Sequence, residues 1–177
     1  MPVVRSIYLY VISLISIWVL AAGLAGLLGL ALEGLGLSPE PPVIAGSRDT
    51  LAEQVSRSLA LAAVGLVLWT IHWWLIERDP VGDLTDAERV FRGVYLGAVL
   101  LVATVISLTS IVDVVAQSLA AVLGDVDGRG VDAEGIGWVC VAVAVWGYHA
   151  RVLLRRDALW RRRSVAAPGE RPSGAGP

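Results

Sequence analysis

The sequence predicts an all-α integral membrane protein: a four-helix bundle built as a tandem parallel repeat of a two-helix unit. Three observations carry that reading. The 177 residues are 56% apolar before any glycine is counted and only 17% charged, whereas soluble domains are roughly 45 to 50% apolar with glycine included. Mean hydropathy is +0.70, and four apolar runs each reach the length of a membrane crossing. The first and second pairs of runs also open and close on matching short motifs. A water-soluble globule could not hide this much apolar surface, and a disordered chain would be far more polar.

The runs are Ile7 to Leu32, Ser58 to Ile76, Val94 to Val112 and Ile136 to Leu154. Nineteen helical residues, the length of the shorter runs, rise about 28 Å, close to the roughly 30 Å of a hydrocarbon core. The first run holds 26 residues without a charge, beyond the roughly 7 to 15 of a signal-peptide apolar region. It is read as an uncleaved span, although small residues from Ala21 to Ala25 mimic a cleavage site. Ala22/Gly26 and Ala25/Gly29 give it small-xxx-small spacing, which lets backbones approach closely in lipid. Packing inside the chain is expected over packing against a second copy.

Thr50-Leu51-Ala52-Glu53 and Thr85-Asp86-Ala87-Glu88 fit the capping box, in which hydroxyl and carboxylate satisfy free amides at a helix start. The second and third helices therefore begin ahead of their apolar runs. Between them, Asp79-Pro80-Val81-Gly82-Asp83 breaks the helix and makes the two antiparallel neighbours.

The third helix carries Thr104, Ser107, Ser110, Asp113 and Gln117 at steps of three and four, a polar stripe that could serve an ion or a proton. Depth argues against it. Asp113 lies about 28 Å along the helix from Val94 and reaches the headgroups, avoiding the roughly 2.5 to 3.5 kcal/mol cost of a mid-bilayer aspartate. Gly124 to Gly128 end this segment, and Val114 to Leu123 are expected to continue as a helix along the outer interface. The acidic loop that follows, Asp125 to Glu134, resembles a calcium loop but places Arg129 at the fifth position and Ile136 at the twelfth, where the cation needs oxygen ligands. It is read as a solvated turn.

Orientation comes from arginine, which supplies all 14 basic residues. Eleven fall in the N-terminus, the middle link and the C-terminal region, against three in the two remaining loops. Positive flanks stay cytoplasmic, so both termini are expected there. Residues 1–79 form the first two-helix repeat, 80–164 the second with its basic juxtamembrane segment, and 165–177 a disordered tail.

Arg5-Ser6-Ile7-Tyr8 opens the first unit and Arg92-Gly93-Val94-Tyr95 the second; Trp69-Thr70-Ile71-His72 closes the first and Trp146-Gly147-Tyr148-His149 the second. An even number of spans per unit makes the copies run the same way through the membrane. These paired Arg-x-x-Tyr and Trp-x-x-His motifs over residues 5 to 157 resemble the bacterial membrane family called domain of unknown function 5671. The resemblance implies an integral protein of the bacterial cytoplasmic membrane without an assigned activity. The copies differ where Trp73 of the first meets Ala150 of the second.

His72 and His149 are the only histidines. On facing helices they could ligate a b-type haem, with Gly65, Ala142, Ser58 and Gly135 leaving room on the same faces. The plainer reading has each histidine bond to Tyr8, Tyr95 or a carbonyl. Arg5 and Arg92, with Tyr8, Tyr10, Tyr95, Tyr148, Trp73 and Trp74, read as an interfacial belt of amphipathic anchors, or as two clusters holding one anionic headgroup.

Arg151 to Arg163 suit anionic lipid, at about 1 kcal/mol for each arginine near the surface; nucleic acid is not an expected partner. The single cysteine, Cys140, excludes an internal disulfide framework and a Cys-based zinc site. Phosphate loops, Gly-x-Ser-x-Gly elbows and metalloprotease motifs are absent. The leading expectation is a non-enzymatic scaffold or accessory subunit that contacts the bilayer and another membrane protein. The alternatives are a haem-binding redox subunit and a small ion-coupled transporter using the Thr104 to Asp113 stripe.

Overall fold

A computed structural model gives four helices and describes residues 3–36, 51–78, 86–124 and 133–166, with the side chains of 3, 86, 87, 121 and 156–166 left aside. They are α1 (Val3–Gly34), α2 (Leu51–Glu77), α3 (Asp86–Val122) and α4 (Ala133–Ala166). Each is long and apolar enough to cross a bilayer, so this is a multi-pass membrane protein with an all-α bundle fold. Every expected run lies within one helix. The 37 residues of α3 rise about 55 Å, so the segment after Asp113 continues the same helix without a break.

Helix starts and stops follow local chemistry. Leu51 and Asp86 come directly after Thr50 and Thr85, the positions read as caps, although both threonines lie outside the described residues. Gly36 and Gly124 have φ of 70° and 80°, the left-handed conformation that ends helices at low cost for glycine. There Gly36 N–H donates to the Glu33 carbonyl at 2.9 Å, and Leu123 N–H to Leu119 at 2.9 Å. The Asp79–Asp83 link, the loop over 125–132 and the tail beyond Ala166 lie outside the described residues. Helix α4 runs two residues past the boundary placed at Ser164.

Helix α1 is the hub. It packs on α2, α4 and α3, and α4 packs on α3, whereas α2 makes no close backbone approach to α3 or α4 among the described residues. Small residues explain the close pairs. A Cβ added to Gly23 would strike the backbone of Ala62 and Ser58, one at Gly65 the backbone of Leu20, and one at Gly137 the carbonyl of Ala25. Two faces of α1 thus admit two partners: Gly23 and Gly26 face α2, while Ala25 and Gly29 face α4. The small-residue spacing packs within the chain.

The core lies toward the end that carries both chain termini. It gathers Leu9, Tyr10, Ile17 and Leu20 of α1 with Trp73 and Ile76 of α2 and Tyr95, Leu96 and Val99 of α3. In α3 the buried positions run from Glu88 to Ala103 and then stop. Past Ala103 the face that continues this register, Ser107, Ser110, Val114, Gln117 and Ser118, is only half-covered.

Candidate functional site

The polar groups buried in this core form the candidate site. In α1, Ser6, Ser13 and Ser16 are buried on one face, spaced so that all three look into the bundle. Ser16 satisfies itself by donating to the Ile12 carbonyl at 2.6 Å, as helical serines do. Ser13 instead reaches α3, with its Oγ 3.3 Å from the Tyr95 hydroxyl. That hydroxyl lies 3.4 Å from Nε2 of His149 on α4, whose Nδ1 lies 2.8 Å from the Val145 carbonyl.

The chain of contacts has a direction. A carbonyl only accepts, so Nδ1 of His149 carries the proton and donates. In the neutral ring, Nε2 then accepts from Tyr95, whose oxygen is left to accept from Ser13. His149 is 0% exposed, and this pairing satisfies both ring nitrogens where water cannot. Around it sit the rings of Tyr148 at 5.1 Å, Trp73 at 5.9 Å and Tyr95 at 5.9 Å. Trp69 stacks on Trp73 at 6.3 Å and meets Tyr148 edge-on at 5.7 Å. Aromatic side chains therefore bridge α2 to α3 and α4 where the backbones stand apart.

A second layer of charge lies beside it. Arg92 is 4% exposed and donates to Glu77 of α2 at 2.6 Å, with its guanidinium 6.0 Å from the Trp73 ring. Glu88, read as half of a capping box, is buried and accepts a hydrogen bond from Ser6 at 3.1 Å. The buried Nε atoms of Arg92 and Trp69 find no protein partner.

The two motif copies occupy unlike surroundings. Tyr8 and His72 meet with ring centroids 5.8 Å apart at 58°, and Tyr95 and His149 at 5.9 Å and 57°. Yet Tyr8 is 55% exposed where Tyr95 is 3%, Arg5 is exposed where Arg92 is buried, and Trp146 is exposed where Trp69 is half-buried. The interfacial belt is thereby corrected. Arg5, Tyr8 and Trp74 face outward as anchors would, with Arg78 stacked 4.2 Å from the Trp74 ring. Tyr10, Trp73, Arg92 and Tyr95 point into the bundle, because α1 sits at its centre and draws α3 against it.

His72 donates to the Leu68 carbonyl at 2.7 Å and keeps to Tyr8. The room expected beside it is taken, since Gly65 lies against the Leu20 backbone, and three aromatic rings enclose His149. The geometry lends a bis-histidine haem no support. Among the described residues no three His, Cys, Asp or Glu side chains gather to hold a metal ion.

On α3, Thr104 bonds back to the Leu100 carbonyl at 2.7 Å and Asp113 is exposed. Cys140 is also exposed, and Arg151 and Arg155 extend from α4 past the core. Glu77 and Ser13 escaped the sequence reading, and Glu88 and Ser6 entered it only as a helix cap and a motif filler. Their signal was the serine spacing in α1 and the carboxylates flanking two spans.

The family model described as domain of unknown function (DUF5671) matches residues 6–135. The chain belongs to that family. The match covers α1 to α3 and stops at the start of α4, so within this DUF5671 protein the Trp146 and His149 motif lies outside it. No curated protein and no solved structure matches the chain.

Proposed function

We propose that this DUF5671 protein is a non-catalytic scaffold or accessory subunit of a membrane assembly, built as two tandem two-helix units, with both termini on the cytoplasmic side. The supporting observation is the unfinished packing of α3. From Thr104 to Val122 no described residue of α3 is buried, although Ser107, Ser110, Gln117 and Ser118 continue the face that carries its core further back. Lipid covers exposed Leu101, Val105, Leu108 and Val112 well, but the half-covered hydroxyls of Ser107 and Ser110 gain from a facing helix. A transmembrane helix of another subunit fits along that face. Arginines crowded at the end bearing the termini support the orientation.

A photoreactive residue placed at Ser110 in cells tests the reading, with Leu108 on the lipid-facing side as control. The expected result is a protein adduct from Ser110 and lipid adducts from Leu108. Lipid adducts alone from both positions, with the purified protein running as a monomer, would overturn it.

A further inference from the structure

At the end of the bundle opposite the termini, α2 and α4 stand apart over α1 and leave a cavity of about 410 Å³, within the roughly 300 to 1,000 Å³ of small-ligand sites. Its floor is Ala22, Gly26 and Gly29 of α1, small because Gly26 abuts Ser58 and Gly29 abuts the backbone of Glu134. Its walls are charged: Glu33 from the last turn of α1, Arg57 and Gln54 from the start of α2, and Glu134 beside Trp138 from the start of α4.

We propose that this cavity binds a phosphate diester joined to a primary ammonium, the headgroup of a phosphatidylethanolamine-type lipid. Arg57 takes the phosphate with its planar fork of donors. Glu33 accepts from the ammonium, with Glu134, which already has a partner in the chain, adding negative potential and Trp138 an aromatic face for the cation. Depth and shape favour a lipid over a free headgroup. The site lies where helix ends meet the interface, and Leu30, Leu61 and Trp138 line it beside the charged groups, which gives apolar surface to the start of an acyl chain. A trimethylammonium headgroup offers no N–H to Glu33. An anionic headgroup meets two carboxylates and a single arginine.

Native mass spectrometry of the full-length chain, offered equal amounts of phosphatidylethanolamine and phosphatidylcholine with the same acyl chains, tests this. The wild type should retain the ethanolamine lipid about tenfold over the choline lipid, the scale of one hydrogen bond to a charged group. Glu33→Gln should bring the two to near parity, and Arg57→Gln should weaken retention of both. Glu33→Asp with Arg57→Lys keeps both charges and should keep the preference, separating charge from folding. Equal retention by the wild type, or a preference untouched by Glu33→Gln, overturns the proposal. Displacement of the lipid by millimolar glycerophosphoethanolamine overturns its lipid source.

Discussion

Tyr95 holds His149: its hydroxyl lies 3.4 Å from Nε2, and the two rings meet at 57°. Tyr8 and His72 repeat the ring geometry at the bundle surface without a hydroxyl contact of that kind. Burial decides what each pair is worth. Tyr95→Phe leaves Nε2 and Ser13 without their partner in a site closed to water and should destabilise the protein by about 1 to 3 kcal/mol. Tyr8→Phe removes an exposed hydroxyl and should change stability by less than about 0.5 kcal/mol. Denaturant unfolding in mild detergent measures both, and equal losses would mean that Tyr95 does not anchor the core.

The same enclosure predicts a colourless protein. With Nε2 of His149 facing the Tyr95 hydroxyl and three aromatic rings around the imidazole, an axial ligand would have to dismantle the cluster. Protein purified from haem-replete cells should show no Soret band. A band that disappears in both His72→Ala and His149→Ala would reverse this reading.

Much of the architecture was legible because spans need only length and composition. Four apolar runs gave four helices, and Gly124, seen as a terminator, takes the left-handed conformation that ends α3. The inward faces were not legible. A helix apolar on every side carries little record of which side meets protein, so Arg92 and Arg5, or Tyr95 and Tyr8, look alike in sequence and part company only when α1 takes the centre. Serine spacing was the recoverable clue, since Ser6 and Ser13 stand seven residues apart on a face that otherwise has no reason to be polar.

Glycines offer a paired test of how α1 organises the bundle. At Gly23 and Gly65 an added Cβ meets backbone of the facing helix, which cannot swing away as a side chain can. Gly23→Ala and Gly65→Ala should each cost about 1 to 3 kcal/mol, in the range of overpacked cores. Gly93, Gly97 and Gly147 have nothing within 4 Å of the added atom. Alanine there should be neutral or should stabilise by up to about 1 kcal/mol through helix propensity. Thermal unfolding of the five variants in one detergent checks the division, and losses of one size across both groups would remove close helix approach as its cause.

Arg92 and Glu77 make the third comparison, because their pair is buried on one side only. The arginine side chain is 4% exposed and the carboxylate 46%, so water can rehydrate Glu77 but not its partner. Removing the carboxylate strands a buried cation whose Nε already lacks a protein acceptor. Glu77→Ala should therefore cost about 1 to 3 kcal/mol, below the loss for a fully buried pair. Glu77→Gln retains an acceptor oxygen and should cost less. Salt should separate this pair from surface ones: ionic strength screens exposed charges over a length of about 10 Å at 0.1 M, and a shorter one as salt rises, but reaches the Arg92 guanidinium poorly. The Glu77→Ala loss should thus change little between low and high salt. A loss that vanishes in high salt would show that solvent reaches the pair and that Arg92 is not sealed inside the bundle.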